Sequence, residues 1–119
     1  DGITFASGSA DYNIKIWDFE KGENIKNFSG HMSDILCIEC TSNGNTLISG
    51  SADRTIKVWS LTKKYSSACL KTLTGHTDFI WTILLLQDDS TLFSGGLDKT
   101  IKMWDINTGN LIRNLPLEH

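Results

Sequence analysis

The chain has 119 residues, a formal net charge of −3, three cysteines and one proline, which limits it to one domain. Hydrophobic residues make up 39% and charged residues 21%. That balance excludes a disordered or fibrous chain, and a core that removes about two-thirds of the unfolded surface from water is within reach. The mild acidity argues against nucleic acid as a partner, since phosphate binding needs clustered Lys and Arg, and no apolar run reaches the ~18–20 residues of a membrane-spanning helix.

In chain order, Asp1-Gly2 reads as a hairpin turn, followed by a short strand through Phe5-Ala6-Ser7-Gly8 and another at Ile14-Lys15-Ile16-Trp17-Asp18. Gly22 marks the next turn. A strand over Ile35-Leu36-Cys37-Ile38-Glu39-Cys40 leads to the turn pair Asn43-Gly44, then to Leu47-Ile48-Ser49-Gly50 and Ile56-Lys57-Val58-Trp59-Ser60. A longer connection, Lys63-Lys64-Tyr65-Ser66, follows. The apolar run from Ile80 to Leu86, broken by Thr82, ends at the turn Asp88-Asp89. Leu92-Phe93-Ser94-Gly95 and Ile101-Lys102-Met103-Trp104-Asp105 are the last clear strands before the turn at Gly109. No segment carries helical periodicity over two turns.

Cys37 and Cys40 form a C-x-x-C, a pattern that also serves redox and zinc sites. On a strand, residues three apart point to opposite faces, so one metal could not easily take both. They are expected to be small buried apolar side chains, with no metal or other cofactor. An odd cysteine count without a basic start and apolar stretch points to reduced thiols in the cytoplasm or nucleus. The sequon Asn27-Phe28-Ser29 is then idle.

The chain repeats itself. Trp17, Trp59 and Trp104 stand 42 and 45 positions apart, each preceded by a small-residue run ending in Asp11, Asp53 or Asp98. Such a period points to a repeat architecture. His31, Ser49 and Asp53, and again His76, Ser94 and Asp98, are the residue types of a serine hydrolase. The spacing is identical in both copies, and an active site is rarely copied once per repeat. Lys15, Lys57 and Lys102 precede each Trp by two positions; their stems are expected along a sheet face, with heads reaching solvent or a carboxylate.

The pairs Gly30-His31 and Gly75-His76, together with Trp17-Asp18 and Trp104-Asp105, resemble WD-repeat (WD40) β-propeller proteins across essentially the whole chain. The resemblance implies an all-β fold, a partial propeller of antiparallel four-stranded blades. Blade 1 is expected over about residues 1–29 without its inner strand, with complete blades over about 30–74 and 75–119. Closed propellers need ~4–8 blades, so a larger propeller is expected, its further blades supplied by a longer chain or, as the lesser alternative, by self-association. Leu117-Glu118-His119 reads as a degenerate Gly-His position or as a vector-derived tail, the first being favoured.

The resemblance also implies roles for residues. His31, Ser49, Asp53 and Trp59, and His76, Ser94, Asp98 and Trp104, would form a structural hydrogen-bond network in each blade, not a catalytic site. Blade 1 keeps Ser7, Asp11 and Trp17, with its histidine position lying before residue 1. Partner contacts in the family lie three and five residues after the histidine and one before the aspartate. Those positions hold Phe79, Trp81 and Leu97 in blade 3, Asp34, Leu36 and Ala52 in blade 2, and Ala10 in blade 1. Packing of Trp81 between blades is the competing role for that residue. The function implied is a non-catalytic scaffold that binds proteins or peptides on the propeller's top face and helps assemble a complex, without nucleic acid or membrane. The alternative is a substrate-recruiting part of a larger enzyme or ubiquitin-ligase chain. Against the latter, Glu20, Thr62 and Asn107 stand where adaptor-docking propellers often carry Arg.

Overall fold

The computed structural model describes residues 4–8, 12–18, 22–42, 45–61 and 69–117. All regular structure among them is β, in three antiparallel sheets. Sheet 1 joins β1 (Thr4–Gly8), β2 (Ile14–Asp18) and β3 (Glu23–Phe28). Sheet 2 joins β4 (Ile35–Cys40), β5 (Thr46–Ser51), β6 (Thr55–Ser60) and β7 (Cys69–Thr74). Sheet 3 joins β8 (Ile80–Leu85), β9 (Thr91–Gly96), β10 (Thr100–Asp105) and β11 (Asn110–Pro116). Each strand pairs with its neighbour in sequence, as a series of short hairpins must. This is the all-β, partial-propeller architecture that the resemblance implies. Among the described residues, no helix is long and apolar enough to cross a membrane.

The period-2 alternation of each strand serves two cores at once. In sheet 2, Leu47 and Trp59 pack with Ile14, Ile16 and Phe28 of sheet 1. Ile48, Ile56, Val58 and Leu73, on the other face, pack with Ile80, Ile83, Leu92 and Trp104 of sheet 3. β8 lies against β4 and β5, and β1 against β4, so the sheets stack face to face with their first strands close together. By register, Phe93, Ile101, Met103 and Leu115 of sheet 3 occupy the places of Ile48, Ile56, Val58 and Leu73. In sheet 2 that face is fully covered by sheet 3; in sheet 3 its residues are partly exposed or exposed.

The turns follow the local chemistry. Asp88 Oδ1 accepts the N–H groups of Ser90 and Thr91 at 3.0 and 2.9 Å. Asp89 takes φ of 57°, which its short polar side chain tolerates. Asp1-Gly2, Asn43-Gly44, the 63–66 connection, Glu20, Thr62, Glu118 and His119 lie outside the described residues.

Bulges break the ladders at repeated places. Ile35 pairs with Ser51 and Cys37 with Gly50, leaving Leu36 as the extra residue. Ile80 pairs with Gly96 and Thr82 with Gly95, leaving Trp81. A bulge re-aims the inserted side chain, and both residues stand exposed.

The cysteines need a correction. Cys37 is half-buried, and burial pushes its thiol up to about 11. Cys40, expected inside, is exposed. It falls near the end of β4, where its side chain meets neither core cluster.

Candidate functional site

The repeated polar residues meet at one end of sheets 2 and 3. In sheet 2, His31 Nδ1 lies 2.8 Å from Asp53 Oδ2 and Nε2 lies 2.7 Å from Ser49 Oγ. The indole N–H of Trp59 donates to the same Ser49 Oγ at 2.9 Å. Sheet 3 repeats this at 3.0 and 2.7 Å around His76, with Trp104 donating to Ser94 Oγ at 2.8 Å. One assignment satisfies every atom: Nδ1–H donates to the carboxylate, the Ser hydroxyl donates to Nε2, and the indole donates to the hydroxyl oxygen.

The surroundings select neutral imidazoles. Burial lowers the pKa of His31 and of His76, outweighing the opposing hydrogen bonds and charges of Asp53 and Asp98. For the carboxyls the balance is reversed. Burial alone would push Asp53 up, but hydrogen bonds from Thr55, the Met32 N–H and His31 hold it at about 2. Asp98 is likewise held at about 2 against burial, by the Thr77 N–H, Thr100 and His76.

Ser–His–Asp distances of this kind match a hydrolase triad, but the setting does not. Ser49 and Ser94 are 0% and 1% exposed, and each hydroxyl oxygen already accepts from an indole. Neither hydroxyl is open to solvent. Among the described residues, no group of three or more His, Cys, Asp or Glu could hold a metal.

Gly30 and Gly75 explain the residue before each histidine. Their φ values are +153° and +155°, and a Cβ would lie 3.3 and 3.2 Å from Cη2 of Trp59 and Trp104. Only glycine combines that backbone with so close an approach to the ring. The lysine stems run over the same place, with Cδ of Lys57 and of Lys102 3.8 Å from those Cβ positions. Their heads reach neutral oxygens and not carboxylates: Lys57, at the solvent-exposed edge as expected, donates to Thr72 Oγ1 at 3.0 Å, and the more buried Lys102 donates to Asn114 Oδ1 at 2.6 Å. The cross-strand neighbours supply hydroxyl and amide groups where a carboxylate was expected.

Two network members were missed in the sequence. Thr55 and Thr100 donate to Oδ1 of Asp53 and Asp98 at 2.6 and 2.7 Å. The signal was present, since a Thr stands two residues after both Asp53 and Asp98. Ser7 holds the same register against Lys15 as Ser49 against Lys57 and Ser94 against Lys102. Trp17 is half-buried, and Asp11 and Ala10 lie outside the described residues.

The expected rim residues gather at this same end. The N–H of Leu97 donates to the carbonyl of Phe79 at 2.9 Å, and that of Ala52 to the carbonyl of Asp34 at 2.9 Å. These bonds tie each β5–β6 or β9–β10 turn to the segment after its histidine. Phe79, Trp81 and Leu97 are 45%, 58% and 51% exposed, and Leu36 is exposed too. Asp34 is exposed and Ala52 half-buried. Among the described residues, Trp81 is therefore not packed between sheets. Met32, which the sequence reading passed over, is exposed next to His31.

Residues 1–18, 22–60 and 67–105 match the family described as WD domain, G-beta repeat. The chain is a WD-repeat protein. Autophagy-related protein 16 of Arabidopsis thaliana is 36% identical over 45 residues, covering 38% of this chain and 9% of that protein. Pre-mRNA-processing factor 19 of Homo sapiens and that of Mus musculus are each 45% identical over 38 residues, covering 32% of this chain and 8% of theirs. The matched stretch thus spans under a tenth of each of these relatives.

In this WD-repeat chain, His76→Ala is expected to lower stability by about 1–3 kcal/mol, because it leaves buried Ser94 and Asp98 without their shared partner. A thermal melt unchanged from wild type would contradict a stabilising role for the network.

Proposed function

We propose that this WD-repeat chain is part of a non-catalytic scaffold that binds proteins or peptides at the rim formed by Phe79, Trp81 and Leu97, with Asp34, Leu36 and Ala52 beside it. The observation that carries this reading is the exposed Trp81, lifted out of the sheet by a bulge and flanked by two further exposed apolar side chains. Large aromatics in such settings dominate binding energy, and an exposed cluster of them marks an interaction surface more often than an accident of folding. The histidine networks beneath serve as the rigid support that such a surface needs. Ala10 takes the equivalent place in the first blade.

We read the three sheets as blades over about residues 1–29, 30–74 and 75–119. The apolar face of sheet 3, equivalent to the one that sheet 2 buries, supports further blades alongside it. The named relatives are an autophagy-related protein and a pre-mRNA-processing factor. Their names point to different processes, and neither process is carried over to this chain.

The test is quantitative affinity capture with the full-length protein. Phe79→Asp combined with Trp81→Asp is expected to cut recovery of partners about tenfold or more, as loss of an aromatic hot spot does. Undiminished recovery with an unchanged melt would reject the rim.

A further inference from the structure

The rim turns of sheets 2 and 3 are built on the same backbone bonds. The N–H of Ala52 reaches the carbonyl of Asp34, and that of Leu97 the carbonyl of Phe79, both at 2.9 Å. The N–H of Arg54 reaches the carbonyl of Ser51, and that of Lys99 the carbonyl of Gly96, both at 3.2 Å. Asp53 accepts the Met32 N–H, and Asp98 the Thr77 N–H, both at 2.9 Å. The register agrees as well, since Ser51 pairs with Ile35 and Gly96 with Ile80.

The two turns differ at that last strand position. Ser51 is 0% exposed, and its hydroxyl donates to the carbonyl of Asp34 at 2.7 Å, with the carbonyl of Ser33 at 3.2 Å as a second acceptor. The same oxygen accepts the Asp53 N–H at 3.1 Å. One side chain thus clamps the β5–β6 turn onto the segment that follows His31. Gly96 has no side chain with which to clamp the β9–β10 turn. Nor is there room to supply one. A Cβ at Gly96 would lie 2.8 Å from both Asp98 Oδ1 and His76 Nδ1, atoms of the hydrogen-bonded network itself. Glycine also gives the turn more backbone freedom once it opens than serine would.

A hydroxyl clamp sets how readily a turn opens, because each bond that must break raises the free energy of local opening. We propose that the rim has a fixed half on sheet 2 and an adaptable half on sheet 3, where the β9–β10 turn opens away from Phe79 and lets Phe79 and Leu97 re-seat against a docking protein. The opening is a property of the turn alone; its use in binding rests on the rim reading given above. The side chains set free are apolar and exposed, so a partner's apolar surface meets residues that adjust to its shape. Asp34 and Ala52, held through Ser51, stay in place.

Ala52 and Leu97 are matched reporters, since each amide hydrogen exchanges only when its own 2.9 Å bond breaks. Hydrogen exchange of the full-length protein is read at single amides by mass spectrometry and corrected for intrinsic rates. Exchange is expected to run about tenfold faster at Leu97 than at Ala52. Ser51→Ala should raise exchange at Ala52 about tenfold and leave Leu97 unchanged, while slow exchange along β6 reports that the variant is folded. Bound to a captured partner, the protein should slow its exchange at Leu97 more than at Ala52. The proposal is overturned if Leu97 exchanges as slowly as Ala52 in the free wild type, if Ser51→Ala leaves Ala52 unmoved, or if the partner slows Ala52 as much as Leu97. Failure of the rim itself reads differently: Phe79→Asp with Trp81→Asp would then leave partner recovery undiminished, and the difference in exchange between the free turns would remain.

Discussion

Replacing Trp59 with alanine is expected to cost the full-length protein about 3–5 kcal/mol, the range for removing a fully buried aromatic side chain. Trp59 is 0% exposed, stacks on Phe28 with ring centroids 5.0 Å apart, and donates its indole N–H to Ser49. It therefore joins two structures at once, the apolar core between sheets 1 and 2 and the polar network of its own blade. Trp59→Phe separates the two contributions. Phenylalanine keeps most of the stacking on Phe28 and loses the donor, so about 1–2 kcal/mol is expected from the unpaired Ser49 oxygen and the lost ring volume. Denaturant unfolding followed by far-ultraviolet circular dichroism avoids relying on the fluorescence of the residue being changed. If alanine costs no more than phenylalanine, the core between these sheets is not what Trp59 holds together.

Much of this fold was legible because its signals are local and repeated. Ile56-Lys57-Val58 alternates with period 2, as a strand does, and the successive apolar residues Leu47-Ile48 suit a strand buried on both faces. The His, Ser, Asp and Trp spacings recur unchanged, so residues far apart in sequence could be assigned to one network. The features that escaped are those that depend on register between strands. Nothing in the composition of residues 80–82 says that Trp81 is an extra residue in the ladder, and it is the bulge that decides between burial and exposure. The heads of Lys57 and Lys102 could be placed only once β7 and β11 supplied Thr72 and Asn114 as cross-strand neighbours. Cys40 was misjudged because alternation says which side of a strand a residue occupies, not whether anything covers that side near the strand's end. The link from Ser42 to Asp89 spans 47 positions and joins two turns with no shared motif.

The same networks make stability depend on acid in two separate pH ranges. His31 and His76 have folded pKa values below the usual 6.5, because burial disfavours the imidazolium more than Asp53 and Asp98 favour it. As pH falls through 6.5, the unfolded chain takes up protons that the folded chain resists, so stability declines. Asp53 and Asp98 act in a lower range. Their folded values of about 2 lie below the usual 3.8, so their contribution is complete above 3.8 and disappears as pH falls from there toward 2. The expected result is a melting temperature that starts to fall in mildly acidic buffer and falls further in strong acid, at constant ionic strength. The first decline should be much reduced in a His31→Gln, His76→Gln variant, which has no imidazole to protonate at either place, even though that variant starts from a lower melting temperature. A wild-type melting temperature that instead rises as pH falls through 6.5 would mean that the imidazoles take up protons more readily in the fold than in the unfolded chain. The Ser hydroxyls could then no longer donate to Nε2, and the hydrogen-bond order assigned to both networks would have to be abandoned.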